Sequence, residues 1–431
     1  MAVTVLAWNI ERFGDRYGFG ATGATCDALR MAVIAQVVRD AGAQVLVIQE
    51  LRSTGLPDLP RLRNALNQTG NNDWHFDWIP GAVDNAAGIP PAALANLDFW
   101  QKANYEGYAV LYRQGYVAQI QGALSAGQDT SARAGGGNPN FIDLVYAGQT
   151  LAFNYSEPVI RFDLPPPTQN LQLDFPQSIS PGANIPARGG KRKVSSSSGA
   201  SLDTNDTIPQ AYETRRPCHV LVVDASSPVQ PAPGFPLMVY HAPSKANGAY
   251  YGSLIGFASA PLQTGGDRAY AGDLNVVSAP AQAVLNFWAE GLGYTAQTYA
   301  NDAFALTSVH PSVHTRLWHS GAGVLTAARD YGFGGGACAV DIPPVLDWIQ
   351  NAGSFTNTFL RGAANGAANR AAVVDTVLPL RADYYPDDAE DAVACYFDGA
   401  TNYPAGADAR TCAALIFHLL LSDHLPVRIT R

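Results

Sequence analysis

Leu421-Ser422-Asp423-His424-Leu425-Pro426-Val427 follows directly on a strongly apolar run, Ala413 to Leu421. A strand or a short helix can bury that run, which brings the Asp-His pair out at the edge of a core. An imidazole beside a carboxylate serves as a general base or as a metal-site group. Taken alone, the pair reads equally well as a surface pair near a terminus. The functional reading gains because upstream segments have the same form. Ala2 to Ile10 carries Asn9 at its end, Gln44 to Gln49 is followed by Glu50, and Leu237 to Tyr240 by His241. Ala269 to Ala271 leads into Gly272-Asp273-Leu274-Asn275. A carboxylate at the end of a buried strand is a common place for ligand chemistry.

The composition bounds the answer. The chain has 431 residues, 47% of them hydrophobic and 15% charged, enough for a large core. The formal charge of -9 argues against a non-specific grip on nucleic acid by net charge. A nuclease is still allowed, because clustered metal-binding carboxylates add negative charge that a bound cation neutralises locally. The five cysteines, Cys26, Cys218, Cys338, Cys395 and Cys412, show no C-x-x-C spacing, so thiolate zinc is disfavoured and at least one thiol stays free. One or two disulfides in the C-terminal third remain open. No charged segment followed by an apolar one opens the chain, and no apolar stretch has membrane length. The expectation is a soluble monomer without stable membrane insertion, cytoplasmic or exported by a leaderless route. No protein partner can be inferred.

Strands dominate the remaining pattern. Trp74 to Ile79, Tyr105 to Arg113, Phe141 to Val145, Leu151 to Phe153, His219 to Val223 and Arg329 to Phe333 read as strands. Leu29 to Asp40, Leu59 to Leu66, Tyr251 to Ser259, Ala281 to Trp288 and Ile342 to Ile349 read as helices. Prolines, glycines, Lys191-Arg192-Lys193 and a serine run make Leu164 to Asp206 a low-complexity tract, read as an exposed flexible insertion. The organisation expected is one domain over 1–431. It carries an insertion at about 125–210 and a second at about 337–411. Two packed sheets with outer helices and a site at one rim fit this order.

The polar set defines a chemistry. Asn9, Glu50, Asp273, Asn275 and Asp423 supply carboxylate and amide oxygens, which suit a hard divalent cation better than zinc. Asp273 and Asn275 stand at i and i+2, so an extended segment aims both into one site, and Arg52 would point with Glu50 in the same way. His241 and His424 can prepare water for in-line attack, and Arg52 and Arg216 can hold a phosphate. There is no P-loop, dinucleotide glycine pattern or G-x-S-x-G.

These segments resemble the endonuclease/exonuclease/phosphatase superfamily, and within it pancreatic-type deoxyribonuclease, with some likeness to the catalytic subunit of cytolethal distending toxin. The resemblance is carried by Trp8-Asn9-Ile10-Glu11-Arg12-Phe13-Gly14, Ile48-Gln49-Glu50-Leu51-Arg52, Tyr105-Glu106 through Arg113 and Arg215-Arg216-Pro217. His241-Ala242-Pro243-Ser244, Gly272-Asp273-Leu274-Asn275, Arg329-Asp330-Tyr331 and Ser422-Asp423-His424-Leu425-Pro426 continue it in family order. It implies an α/β fold, a four-layered sandwich with two central, mostly antiparallel sheets. It implies a Mg²⁺-dependent phosphodiester hydrolase, with Mn²⁺ as a substitute and room for structural Ca²⁺. Glu50 would be the main metal ligand, helped by Asn9, with Asp423 as a metal-side carboxylate. Asp273 and Asn275 would bind metal and orient the phosphate or the attacking water. His424 would be the catalytic imidazole, oriented by Asp330, and His241 the second, oriented by Glu106. Arg52 and Arg216 would contact the substrate backbone. The implied partner is nucleic acid, double-stranded DNA, cut without regard to sequence. Against DNA stand the net charge, the insertions and Gly107, which takes the place of an arginine in the deoxyribonuclease. A phosphoesterase acting on phosphoinositide, sphingomyelin or another phosphate ester is the alternative, and an inactive binding module is a second one.

Overall fold

The structure, a computed structural model, describes residues 2–13, 24–79, 107–120, 143–146, 149–152, 171–172, 192–196, 201–204, 218–224, 234–242, 266–275, 294–296, 308–309, 325–327, 330–361, 368, 409–422 and 424–431. Two six-stranded sheets organise them. Numbering only their strands, β1 is Thr4–Phe13, β2 Val45–Leu51, β3 Trp74–Ile79, β4 Gly107–Arg113, β5 Val117–Ile120 and β6 Cys218–Val222. β7 is Phe235–Val239, β8 Arg268–Asp273, β9 Thr295–Ala296, β10 Asp330–Gly335, β11 Ala339–Asp341 and β12 Val427–Thr430. The first sheet runs β11-β12-β1-β2-β4-β3 and the second β9-β10-β8-β7-β6-β5.

Alternation along the strands explains the layering. Val5, Val47, Val110, Leu237, Ala271, Val340 and Ile429 fill the space between the sheets. Leu6, Trp8, Ile48, Leu111 and Trp78 point to the other side of the first sheet. There they meet α1 (Ala24–Asp40), α2 (Leu59–Asn67), α3 (Val345–Gln350), α4 (Phe355–Arg361) and α5 (Ala409–Leu420). The α/β sandwich expected from the sequence is therefore present, with both sheets mostly antiparallel. Residues 251–259 and 281–288, read as helices, lie outside the described residues. No helix among the described residues is long and apolar enough to cross a membrane.

Each sheet contains one parallel pair, β1 with β2 and β7 with β8. Parallel neighbours end at the same edge of a sheet, so Asn9, Glu50, His241 and Asp273 gather at one rim. The antiparallel strands β4, β10 and β12 begin there, which brings Asp330 and His424 to the same place. The short connections Gln114–Tyr116 and Gly336–Cys338 carry the chain from one sheet to the other at the opposite rim.

The structure decides between the strand and the helix that the run Ala413 to Leu421 allows. Ala409–Leu420 forms α5, a helix buried at every position described for it, Ala413, Ala414, Ile416, Phe417, His418 and Leu420. The last strand begins only at Val427, since Pro426 has no N–H for a ladder, and the Asp-His pair precedes that strand. Within the region expected as a second insertion, residues 339–361 belong to the sandwich. β11 edges the first sheet, and Leu346, Ile349 and Leu360 enter the core. The backbone N–H groups of Phe355 and Thr356 donate to the Asp40 carboxylate at 2.8 Å each, which joins α4 to the end of α1. The low-complexity tract includes a small sheet of Leu171–Gln172, Arg192–Ser196 and Ser201–Thr204. Cys218 and Cys338 are buried free thiols, and burial raises the Cys338 thiol to about 11, which keeps it mainly protonated at neutral pH.

β10 approaches the first sheet closely. A Cβ at Gly332 would lie 2.1 Å from Val340 Cγ1 and 2.8 Å from Val427 Cγ1, so this strand shows glycine to the inner face. Gly332→Ala is expected to lower stability by about 1–3 kcal/mol, the usual cost of overpacking, as read from the urea midpoint. A second expectation concerns acid. Burial pushes His219 down to about 3, so below pH 6.5 the unfolded chain takes up a proton that the folded chain refuses. Stability should fall by about 1.4 kcal/mol per pH unit from this one group. Urea unfolding between pH 6.5 and 4 should show a shallower slope in His219→Leu.

Candidate active site

The rim is built by interruptions of regular structure. Opposite the two residues Ala109 and Gly107 of β4, β2 passes from Ile48 to Leu51 with an extra residue, and the register of β1 with β2 shifts at the same level. This is a β-bulge, and Glu50 in it has φ 59°. Ile48 and Leu51 both face the helical layer, and Glu50 is turned toward the second sheet instead. The simple alternation that would align Arg52 with Glu50 is thus broken. Arg52 follows the strand, half-buried, and donates its backbone N–H to the Phe13 carbonyl at 2.9 Å.

On the second sheet Gly272 has φ 141°, and a Cβ there would meet the Tyr240 carbonyl oxygen at 2.1 Å. Only glycine admits this approach of β8 to β7, which sets Asp273 beside His241. Asn275, with φ 53°, donates its backbone N–H to Asp273 Oδ1 and its amide Nδ2 to the Ala242 carbonyl, both at 2.9 Å. Two non-glycine residues in left-handed backbone within one cluster mark a place where strain is held by its surroundings.

Asp273 Oδ2 is the common point. It accepts from Asn9 Nδ2 at 3.1 Å and lies 3.4 Å from His241 Nε2 and 3.7 Å from His424 Nε2. Glu50 Oε1 accepts from the same Asn9 Nδ2 at 3.0 Å and lies 3.4 Å from His241 Nε2. Asp330, paired with Asp273 across the β8–β10 ladder, brings Oδ2 to 2.7 Å from His424 Nδ1. A carboxylate can only accept, so in the neutral imidazole Nδ1 carries the proton and Nε2 is the basic nitrogen.

His424 is held by its loop. Its backbone N–H donates to Ser422 Oγ at 3.0 Å, and that hydroxyl donates to the Asn9 carbonyl at 2.6 Å. Trp8 Nε1 donates to the His424 carbonyl at 2.7 Å, while Arg30 donates to the Leu421 and Ile10 carbonyls. Trp8 itself stacks on Phe417 of α5 at 5.9 Å.

The residue set fits a divalent cation. Glu50, His241 and Asp273 form one group of ligand atoms within 4.8 Å of one another, and Asp273, Asp330 and His424 form a second. Asn9 Oδ1 is buried with no hydrogen-bond partner. Turning that amide over would aim the oxygen between two carboxylates, which only a cation among them makes favourable. The structure thus brings together Asn9, Glu50, His241, Asp273, Asp330 and His424. Asn275 lies at their edge, and Glu106, Arg216 and Asp423 lie outside the described residues. Gln49, Tyr108, Trp8, Arg30 and Ser422 were missed by sequence reasoning. Their contribution is to hold backbone groups of distant residues, which no spacing announces.

No family model matches the chain, and no curated protein matches it. Solved structures do. Truncated TDP2 of Caenorhabditis elegans is similar over 79% of this chain and 88% of its own, at 11% identity and a TM-score of 0.36. A mannosyl-6-phosphatase of Bacteroides thetaiotaomicron is similar over 79% and 87%, at 12% identity and a TM-score of 0.37. An endonuclease/exonuclease/phosphatase protein of Beutenbergia cavernae is similar over 80% and 67%, at 13% identity and a TM-score of 0.39. At such distance the chemistry rests on the geometry of the rim itself.

Because Asp273 serves both ligand groups, Asp273→Asn should abolish cation binding. Mn²⁺ at a hundredfold excess over its dissociation constant stabilises a binding protein by about 2.7 kcal/mol. Thermal melts should show this shift in the wild type and none in Asp273→Asn.

Proposed function

We propose that the protein is a divalent-cation-dependent phosphodiester hydrolase, and that its substrate is DNA, nicked with little regard to sequence. The reading is carried by one observation: two imidazoles converge on the buried Asp273 carboxylate, and one of them is bonded through Nδ1 to a second buried carboxylate, Asp330. A bound Mg²⁺ would supply charge stabilisation for a phosphoryl oxygen. Glu50, Asp273 and the Asn9 amide are the groups to hold it.

The protein's own residues then divide the work. His424 takes the proton of the attacking water on Nε2, and Asp330 keeps the ring in the right tautomer and steadies the imidazolium that results. His241, between Glu50 and Asp273, donates toward the oxygen on which charge develops. Asp273 and Asn275 orient phosphate and water. Glu106 orients His241, Asp423 adds a metal-side carboxylate, and Arg52 and Arg216 hold neighbouring phosphates of the duplex. Contacts of that kind position a backbone without reading bases, which supports non-specific, salt-sensitive cutting.

Supercoiled plasmid with Mg²⁺ tests the proposal, beside a panel of phosphoinositide and sphingomyelin. Nicked and linear products that vanish on chelation are expected. Glu50→Gln and His424→Ala should lower turnover by about 10²–10⁴-fold while the far-ultraviolet dichroism stays unchanged. Released lipid phosphate or phosphocholine with intact plasmid would move the site to the phosphoesterase reading. Mg²⁺-dependent DNA binding with no hydrolysis would identify a binding module. Activity that survives exhaustive chelation would remove the metal altogether.

A further inference from the structure

The candidate cation site is shared between two sheets. Asn9 and Glu50 come from the first, and His241 and Asp273 from the second. The two short chain connections between the sheets lie at the far rim, so at this rim side chains must fix how one sheet stands over the other. Two fully buried side chains of the first sheet cross the gap and take hold of backbone N–H groups. Tyr108 on β4 accepts the backbone N–H of His241 on its hydroxyl oxygen at 3.0 Å. Gln49 on β2 accepts the backbone N–H of Asp273 on Oε1 at 2.9 Å. The orientation of the Gln49 amide follows from this bond, since a main-chain N–H demands the oxygen.

We infer that Tyr108 and Gln49 are positioning residues, which set the distance between the Glu50 and the His241–Asp273 sides of the cation site by holding the main chain of His241 and Asp273. The separations at stake are small: His241 Nε2 is 3.4 Å from both Glu50 Oε1 and Asp273 Oδ2. Without the Tyr108 hydroxyl the His241 amide has lost that acceptor, and the two sheets are free to settle by a few tenths of an ångström. An amide or hydroxyl one bond removed from the ligands is the kind of partner whose loss weakens metal binding by about 10–100-fold.

The inference rests on the metal-dependent reading of the site. Calorimetric titration of the full chain with Mn²⁺ tests it apart from any turnover. Tyr108→Phe keeps the ring and removes the hydroxyl, and Gln49→Met keeps the length and removes the acceptor. Both should raise the Mn²⁺ dissociation constant at least about tenfold. Tyr112→Phe is the control. Tyr112 stands on the same strand and the same face, and its buried hydroxyl donates to Asp77 Oδ2 at 3.0 Å, away from the rim. It should lower the urea midpoint and leave the Mn²⁺ constant within about twofold. Loosening by Tyr112→Phe as large as by Tyr108→Phe would reduce the effect to general stability and overturn the inference. A wild-type constant in Tyr108→Phe or in Gln49→Met overturns it for that residue. A wild type that binds Mn²⁺ but cleaves no phosphodiester refutes the proposed reaction alone, and the affinities still decide on the two positioning residues. A wild type with no affinity for Mn²⁺ overturns both.

Discussion

Glu50, Asp273 and Asp330 bring three carboxylates to one rim, two of them almost fully buried. Charges of one sign in a dry place repel, and each has also lost its water. Much of the local structure answers that problem. The Asn9 amide stands between Glu50 and Asp273, the Asn275 backbone covers the other Asp273 oxygen, and each histidine faces at least one carboxylate. A divalent cation would complete the neutralisation, and its binding would then be thermodynamically linked to folding.

The sheets supply the second half of the answer. A parallel pair is an unusual choice in sheets that are otherwise antiparallel, and each sheet has one, near its middle. The pair forces two chain ends to leave at the same rim, and its antiparallel neighbours start there. Functional groups at strand ends and at strand starts therefore converge without any long loop having to carry them. In the first sheet the crossover is α1, whose Arg30 then reaches the Leu421 carbonyl beside the His424 loop.

This convergence is why so much of the site was legible. Asn9, Glu50, His241 and Asp273 each follow a short apolar run, and a run of that kind has few places to go except a sheet. Asp330 and His424 were harder, because Asp330 opens its strand and His424 precedes one, and they were assigned through resemblance more than pattern. The bulge at Gln49–Glu50 was not legible, since a left-handed glutamate leaves no mark on the pattern of apolar residues. α5 was left between helix and strand because a short run of unbroken hydrophobicity has no visible period, and a run buried all round needs none. The contribution of residues 339–361 to the core was hidden by an alanine- and glycine-rich continuation that dominates the composition of the region.

β5 ends and β6 begins at the same rim as the site, and the two strands pair directly, Ile120 with Val220. The chain thus leaves the sheet after Ile120 and re-enters it at Cys218, at adjacent points. Closing a loop whose ends already touch costs entropy that grows only with the logarithm of its length. Material can accordingly be gained or lost at this position over evolutionary time without disturbing the sandwich. The attachment lies at the rim that carries Asn9, Glu50, His241 and Asp273. The strands that position these side chains can therefore stay constant while the length and composition of the chain between Ile120 and Cys218 change.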